Sequence, residues 1–471
     1  MIEGYPQGPS VPAGGRLELR VSTDAPAFRV ELFRWGREVA YRGGTPWLEG
    51  RHAPHHLPFH DWGRANVALD GTELEPWPAY SVPIPAHWSS GPHVAVLIEG
   101  DGDGHDVHPD VPRAPDARHG RAFFVVRSAR PGAGTKILYK LPLLTYHAYN
   151  RVCEQGYDPV TGCGGWSLYT VPEPHALPRP VPPAVSVRRP GGGTGGTPWD
   201  WWSGDPFDRT LRQTFLHWDA LAVAWLETNG YRVDYCADLD LHGDGAADVL
   251  ASYRLLLGFG HDEYWSAPMR SSVEQFVRAG GNVAFFSGNT CWWEVEFGEP
   301  FAFHRAHHWS DAPRPGRPEN QLTGVSFRNG GERPPAVRPE PVGFRVQHAD
   351  HWLYAGTGLR DGDVFGAGDD EHLVGYECDG AHFDRRALRR GAPARATGED
   401  GTPGDFEILG VGDVGARGWG EGNRAATLGV HAPGGTVFTA STTDWPRVLA
   451  AGSPAVAQIT RNVLDRLSAP L

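Results

Sequence analysis

Four side chains that can do chemistry follow one another in the stretch "GFGHDEYWSAPMRSSVEQFVRAGG": His261, Asp262, Glu263 and Tyr264. An imidazole and a carboxylate can move protons, and a phenol can bind a metal ion. The four residues lie between an apolar run and a segment with helical signals. We therefore expect His261 and Glu263 to be catalytic, and Tyr264 to be a metal ligand.

Three kinds of site can be compared with these residues. A nucleophilic serine in a G-x-S-x-G turn is absent at the strand ends. Cys291 follows an apolar strand and could use His261 or His304 as its base, but "GNTCWWE" places bulky residues where a tight turn needs small ones. The zinc motifs H-E-x-x-H and C-x-x-C do not occur, whereas tyrosine, glutamate and histidine donors suit a harder ion such as iron.

The elements that must position these groups follow an α/β pattern. The apolar runs "KILYKLPLLTY", "YRVDYCAD", "YRLLLGFG" and "NVAFFSG" alternate with helical segments, which predicts a doubly wound parallel sheet. Ligands of such sheets bind beyond the carboxyl ends of the strands, where successive loops meet. One crevice should therefore collect the polar and aromatic residues after these strands: Tyr149, Asn150, Cys236, Asp238, His261, Glu263, Tyr264, Asn289, Trp292 and Trp293.

Each candidate also has a purely structural interpretation. Glu263 could cap a helix, Tyr264 could be a packing aromatic, and Asn289 could be a turn residue. In the functional interpretation Asn289 stabilises an oxyanion, and Tyr149 and Asn150 complete the catalytic group. The pocket would be walled by four tryptophans: Trp201, Trp202, Trp292 and Trp293.

The pattern of the chain predicts four parts. Residues 1–130 alternate apolar and polar residues in short bursts, which predicts an immunoglobulin-like β-sandwich. Residues 131–320 carry the α/β pattern, with a long Pro- and Gly-rich insertion at 179–206. Residues 321–435 return to short β bursts, and residues 436–471 supply a strand and a helix that rejoin the α/β part.

Composition excludes some partners. The net charge is -13, and lysine occurs only at Lys136 and Lys140, so the chain lacks the basic footprint of a nucleic-acid-binding protein. No run of about 18 apolar residues occurs, so we expect no membrane partner, a cytoplasmic location and a small-molecule substrate. Five cysteines fit reduced thiols better than a disulfide framework, although Cys153 and Cys163 bracket a short loop and could pair.

Several segments, in their order, resemble the N,N-dimethylformamidase large-subunit-like family: "LLTYHAYNRVCEQGYDPVTGCGGWSLYT", "GHDEYWS", "GGNVAFFSGNTCWW" and "ITRNVLDRL". The opening "IEGYPQGPSVPAGGRLELRVSTDAPAFRVELFRWG" also resembles that family's β-sandwich, so the resemblance spans nearly the whole chain. It implies a glutamine-amidotransferase-like α/β domain and amide hydrolysis at a mononuclear iron held by two tyrosines and one glutamate. It also implies a small partner subunit, and a homo-oligomer is a further possibility.

Carried over residue by residue, the resemblance implies that Tyr264 is one iron ligand. The second tyrosine is expected near the helix before the second strand, where this chain has Leu221. The glutamate is expected after the fourth strand, which makes Glu294 and His304 the remaining candidate ligands. Two other classes stay open: a metal-free acid–base enzyme of a biosynthetic pathway, and a carbohydrate-binding or structural protein.

The insertion at 179–206 leads to a testable prediction, because it begins at the mouth of the expected crevice and combines a glycine-rich stretch with Trp201 and Trp202. We predict that it closes over bound ligand as a lid. Ligand binding should then slow hydrogen exchange of residues 190–205, and unchanged exchange there would contradict the lid.

Overall fold

A computed structural model of the chain describes residues 2–53, 77–101, 119–150, 167–169, 184–194, 213–298, 302–311, 317–332, 341–368, 371–415 and 424–469. No helix within these ranges is long and apolar enough to cross a membrane. Four residues named above lie outside them: Cys153, Cys163, Trp201 and Trp202. The free cysteines of the described ranges are Cys236, Cys291 and Cys378.

The N-terminal part forms two sheets around one apolar core. Its strands are β1 (Ile2–Pro6), β2 (Ser10–Pro12), β3 (Arg16–Thr23), β4 (Ala27–Arg34), β5 (Ala40–Gly44), β6 (Leu48–Glu49), β7 (Ala79–Pro83), β8 (Gly91–Gly100) and β9 (His119–Arg127). One sheet has the order β1-β3-β7 and the other β2-β9-β8-β4-β5, with β6 paired to β4. Alternate side chains, such as Leu19 of β3 and Val30 of β4, meet between the sheets, as the period-two pattern requires.

The remaining elements alternate strands and helices and then become mainly β. In chain order they are β10 (Ile137–Leu141), α1 (Leu143–Tyr149), β11 (Ala184–Ser186), α2 (Asp219–Thr228), β12 (Asp234–Ala237), α3 (Ala246–Ala251), β13 (Leu255–His261), β14 (Tyr264–Ser266), α4 (Ala267–Arg278), β15 (Asn282–Gly288), β16 (Trp293–Gly298), β17 (Ala302–His308), α5 (Asn320–Thr323), β18 (Ser326–Glu332), β19 (Phe344–Val346), β20 (Val364–Phe365), β21 (Glu377–Gly380), α6 (Arg385–Arg389), β22 (Glu407–Gly415), β23 (Arg424–His431), β24 (Val437–Thr439), α7 (Trp445–Ala450) and α8 (Pro454–Ser468).

The largest sheet has nine strands in the order β12-β10-β13-β15-β24-β23-β22-β19-β20. The first five strands are parallel, and the pairs from β24 onward are antiparallel. From β10 the chain continues to β12 on one side and then crosses to β13 on the other side. The order in which strands are added to the sheet therefore reverses between β10 and β13, and ligands of open α/β sheets bind at such a position. The predicted mixed α/β class is confirmed.

Helices cover both faces of the parallel strands. Leu257 of β13 belongs to the same core cluster as Val463 of α8, whereas its neighbour Leu256 packs in a second cluster with Met269 of α4. Phe123 of β9 also joins the first cluster, so one sheet of the N-terminal part packs against the large sheet. Burial on both sides explains why these strands are continuously apolar.

Two elements differ from the sequence predictions. The strand predicted over "KILYKLPLLTY" ends at Leu141, because Pro142 cannot donate a hydrogen bond to a ladder and α1 follows directly. The segment "FDRTLRQTFLHWDALAVAWLETNG" has a helical pattern that ends at Gly230 and includes Gln213, but α2 starts only at Asp219. Gln213 has a left-handed φ of 59° that a helix cannot contain. Ser266, the serine directly before the helical segment, caps α4: its hydroxyl accepts a hydrogen bond from the backbone nitrogen of Met269 in the first turn.

A buried ion pair lies beneath the carboxyl end of β13. Lys140 Nζ is 2.6 Å from Asp262 Oδ1, and both side chains are almost fully buried. The ammonium group also lies 4.3 Å from the centre of the Trp265 ring, whose Nε1 donates to Asp262. These contacts fix Asp262, which lies between His261 and Glu263 in the chain. They therefore hold the backbone of both catalytic candidates in place.

We predict that Lys140→Met destabilises the fold by about 3–5 kcal/mol, because it leaves the Asp262 carboxylate buried without its counterion. The other lysine provides a matched control: Lys136 is exposed and its Nζ donates to the backbone oxygen of Ser252 at 3.3 Å, so Lys136→Met should cost less than about 0.5 kcal/mol. Urea unfolding of both variants measures the difference, and equal losses would contradict the role of the ion pair.

Candidate functional site

Five buried polar side chains from different elements meet at the carboxyl end of β13. His261 ends β13, Glu263 follows it, Tyr149 ends α1, Asn289 follows β15, and Glu377 begins β21. Each is at most 6% exposed. Burial of so many polar groups is costly unless they pair with one another, and here they do.

His261 lies between hydrogen-bond acceptors on both sides of its ring. Its Nδ1 is 2.7 Å from Gln213 Oε1, and its Nε2 is 2.7 Å from Glu377 Oε2 and 3.3 Å from Glu263 Oε2. Burial alone lowers the pKa of His261, but the two carboxylates outweigh it and raise the pKa to about 10. His261 is therefore an imidazolium at neutral pH and donates from both nitrogens.

The Glu263 carboxylate, which faces His261, also accepts hydrogen bonds from two phenol groups. Tyr149 Oη donates to Glu263 Oε2 at 2.7 Å, and Tyr169 Oη donates to Glu263 Oε1 at 3.2 Å. The hydroxyls of Tyr149 and Tyr169 are 2.9 Å apart, so these three residues are in mutual contact; we call them the Tyr–Glu cluster. The hydroxyl of Tyr264 contacts that of Tyr169.

The protein keeps these phenols neutral by itself. Burial, followed by the negative charge of Glu263, raises the pKa of Tyr149, Tyr169 and Tyr264 well above its usual value. The Arg305 guanidinium lies 4.8 Å from the centre of the Tyr169 ring and opposes the shift in Tyr169 and Tyr264. Only a nearby cation could make these hydroxyls into phenolates near neutral pH.

Two glycines allow the backbone to bring these groups together. Gly260 has φ of 69°, and a Cβ at this position would lie 2.6 Å from Cβ of Trp218. A Cβ on Gly288 would lie 2.7 Å from the backbone oxygen of Glu377. A larger residue at Gly288 would push β21, and with it the Glu377 carboxylate, away from His261.

Asn289 is held in a left-handed conformation with φ of 50°. The Asp379 carboxylate accepts hydrogen bonds of 3.1 Å from the backbone nitrogens of Asn289 and Thr290 and fixes this turn. The side-chain Nδ2 of Asn289 is 3.3 Å from Glu377 Oε2 and 3.4 Å from His261 Nε2. Its buried Oδ1 has no hydrogen-bond partner among the described residues, so it can accept one from a ligand.

The structure does not bring the predicted ligands Glu294 and His304 to Tyr264. Tyr264 of β14 is in register with Trp293 of β16, so the next residue, Glu294, points to the opposite face of that sheet. Glu294 pairs there with His307 at 2.8 Å. His304 is half-exposed, and its Nε2 lies 3.8 Å from Glu296. The expectation that Tyr264, Glu294 and His304 share one metal is therefore corrected.

Asn150 also points elsewhere, because its Nδ2 donates to the backbone oxygen of Pro190 at 2.7 Å. Cys291 is fully buried, and burial raises the pKa of its thiol, which disfavours a thiolate nucleophile. Asp238 accepts a 2.7 Å hydrogen bond from the backbone nitrogen of Leu144 and so supports α1. These three residues act as scaffold around the site in this structure.

Trp292 and Trp293 form a wall beside the site. Both rings pack on His308, with centroid distances of 4.2 and 3.7 Å. Arg305 lies between the Trp293 and Tyr169 rings, 4.8 Å from each centre. The Arg305 guanidinium group therefore packs between the tryptophan wall and the Tyr–Glu cluster.

Three site residues were not identified from the sequence: Tyr169, Gln213 and Glu377. Tyr169 lies in "GGWSLYT", one of the segments that carry the family resemblance, so that motif was its available signal. Gln213 lies inside a helical pattern, and Glu377 lies within the short β burst "HLVGYECD" far along the chain. Neither has a local signal that separates it from ordinary polar residues.

The donors in this site differ from those of a histidine or cysteine metal site. Within the described ranges, no group of three or more His, Cys, Asp or Glu side chains is arranged to hold a metal ion. The Tyr–Glu cluster instead offers two phenol oxygens and a carboxylate within 3.2 Å of one another, with Tyr149 and Glu263 buried and Tyr169 37% exposed. Oxygen donors of this kind fit a hard cation.

The chain matches one family model extensively and resembles individual proteins over shorter or more distant alignments. A family model described as N,N-dimethylformamidase beta subunit-like, C-terminal, matches residues 30–458. The N,N-dimethylformamidase beta subunit of an Alcaligenes species is 30% identical over 78 residues, which are 17% of this chain and 10% of that protein. This alignment thus spans about a tenth of the relative's length.

Among solved structures, a ThuA-like protein of Parabacteroides merdae matches with a TM-score of 0.24 and 13% identity. The match covers 50% of this chain and 82% of that one.

The charge of His261 gives a prediction for the metal-free chain. Because its pKa is raised to about 10, the ring should stay protonated from neutral pH to about pH 9, and its stabilising contribution should be lost as pH rises through about 10. Glu377→Gln removes one carboxylate and should lower this pKa. Nitrogen-15 NMR of the histidine rings measures it, with His93, whose pKa burial lowers to about 3, as a neutral internal reference. A wild-type His261 that titrates near pH 6.5 would contradict the ion pair.

Proposed function

Because the chain belongs to the N,N-dimethylformamidase beta subunit-like family, we propose that it is a hydrolase of a small amide or related carbon–nitrogen bond. The observation that carries this proposal is the hydrogen-bonded Tyr–Glu cluster beside the His261 imidazolium. The cluster lies at the carboxyl end of β13, next to the point between β10 and β13 where the strand order reverses. Substrates of α/β enzymes bind at such positions.

We propose that a mononuclear iron is held by Tyr149, Tyr169 and Glu263. Two phenol oxygens and one carboxylate match the donor set that the family resemblance implies, and these are the residues in mutual contact. A bound cation would polarise the amide carbonyl and lower the pKa of a bound water. Tyr264, whose hydroxyl contacts Tyr169, would then support a ligand by orienting it.

The remaining polar groups suit the proton transfers of amide hydrolysis. Glu377 can accept a proton from the attacking water, and His261 holds a proton 2.7 Å away on Nε2 that can pass to the leaving nitrogen. Asn289 Nδ2 is a buried donor beside the same nitrogen and can stabilise the developing oxyanion. His261 thus supplies a proton to the leaving amine, and Glu377 accepts the proton that the attacking water releases.

The finer structural expectations are part of the same proposal. We assign the parallel strands to a glutamine-amidotransferase-like unit and the N-terminal sheets to an immunoglobulin-like sandwich, which the strand order and shared core support. A small partner subunit is in keeping with the relative, which is named as a beta subunit. We propose a cytoplasmic location and no nucleic-acid or membrane partner, on the charge and hydropathy of the chain.

One observation favours a second candidate, an acid–base enzyme without metal. Both oxygens of Glu263 already accept hydrogen bonds from neutral phenols, so the cluster is satisfied without a cation. In that case the His261–Glu377 pair would carry the chemistry alone.

Three matched tyrosine variants distinguish these candidates. Each Tyr→Phe change keeps the ring and removes one hydroxyl, so it should lower stability by about 1–3 kcal/mol through the loss of one hydrogen bond. Tyr149→Phe and Tyr169→Phe should each lose bound iron and turnover of N,N-dimethylformamide together, by about tenfold or more, whereas Tyr264→Phe should lose less of both. Metal analysis and amine release measure the two effects.

The outcomes separate the two candidates. Wild-type protein that hydrolyses amides without metal above background would favour the acid–base enzyme. A loss of iron in Tyr264→Phe that equals or exceeds the loss in Tyr149→Phe would reassign the ligand set.

A further inference from the structure

Gln213 is a fully buried residue that touches the candidate catalytic histidine directly. Its Oε1 accepts hydrogen bonds from His261 Nδ1 at 2.7 Å and from Trp218 Nε1 at 3.2 Å. Because both partners are donors toward Gln213, a flipped amide would place its NH2 group against two N–H groups. The orientation of this amide is therefore fixed by its surroundings.

The backbone of Gln213 is strained at the same place. Its φ of 59° lies in the left-handed region, which costs a non-glycine residue about 1–3 kcal/mol. Asn289 and Cys291, which follow the neighbouring strand, share this conformation with φ of 50° and 57°. Such strain persists where the surrounding structure requires a particular side-chain position, and in Gln213 the side chain it delivers is the acceptor for His261.

We infer that Gln213 is a positioning residue, which holds the His261 ring in the one orientation that points Nε2–H between Glu377 and Glu263. A ring turned by half a rotation would direct a carbon atom at Gln213 Oε1 and at the carboxylates, and would lose the 2.7 Å contacts on both sides. Gln213 does not need to touch substrate for this role. It acts through His261.

The consequence of this role for catalysis rests on the proposed amide hydrolysis. A fixed ring keeps the proton on Nε2 in line with the site at every turnover, whereas a ring free to rotate would present it only part of the time. Loss of Gln213 should therefore lower kcat more than it raises KM. The ring orientation itself can be observed whether or not the chain hydrolyses amides.

The test compares Gln213→Leu with Gln213→Glu in the full chain. Leucine removes the acceptor, while glutamate keeps an oxygen that both His261 and Trp218 can reach. Gln347→Leu is the matched control: Gln347 is also buried, and its amide hydrogen-bonds to backbone atoms of Ala394 and Ile408, away from His261.

Crystal structures give the first readout. The His261 ring should rotate or show two orientations in Gln213→Leu and keep the wild-type orientation in Gln213→Glu and Gln347→Leu. An unmoved ring in Gln213→Leu overturns the inference, whatever the activity. Because this readout needs no substrate, a failure of the proposed function and a failure of the positioning role give different results.

Kinetics with N,N-dimethylformamide gives the second readout. We expect Gln213→Leu to lower kcat by about 10–100-fold with little change in KM and in iron content, as for residues that orient a reacting group. Gln213→Glu should recover most of this loss. Equal impairment of both variants, unchanged kcat in Gln213→Leu, or an equal loss in Gln347→Leu would each overturn the positioning role.

Discussion

Two carboxylates buried against one imidazole nitrogen impose the main constraint on this molecule. Glu377 and Glu263 lie 2.7 and 3.3 Å from His261 Nε2, in a volume almost without solvent. Like charges so close and so buried repel each other strongly unless a cation lies between them. The imidazolium form of His261 is that cation, and the need to keep it there determines which groups can surround the site.

The neighbours of this ion pair supply donors or neutral groups as that constraint requires. Tyr149 and Tyr169 donate to Glu263 as neutral phenols, and Gln213 accepts from the far side of the imidazolium. One layer below, Lys140 balances Asp262. The charged groups around His261 thus lie next to a second ion pair, Lys140–Asp262, whose two charges balance each other.

Local sequence patterns were sufficient where periodicity and burial determine structure. The parallel strands, the Ser266 cap and the convergence of Tyr149, His261, Glu263 and Asn289 follow from apolar runs and the rule for sheet edges. They were insufficient where tertiary contacts override propensity. The turn at Gln213 replaces a strongly helical pattern because its side chain is needed at His261.

The ligand predictions show a second limit. Glu294 is close to the site in sequence but points away, since adjacent strand residues face opposite sides. Glu377 is distant in sequence yet 2.7 Å from His261, because Cys378 of β21 forms a β-bridge with Thr442, in the segment that follows β24. Contacts of this kind depend on sheet order, which a single sequence does not encode locally.

The sheet order also has a consequence for how the molecule is made. Strand β24, residues 437–439, pairs with β15 on one side and β23 on the other, and so joins the parallel and antiparallel halves of the sheet. During synthesis β15 must wait for this strand while residues 289–436 emerge, and its apolar edge stays unpaired for that interval. Parallel strand pairs form slowly, and an unpaired apolar strand edge attracts other chains. The nascent protein therefore passes through a stage that favours chaperone binding.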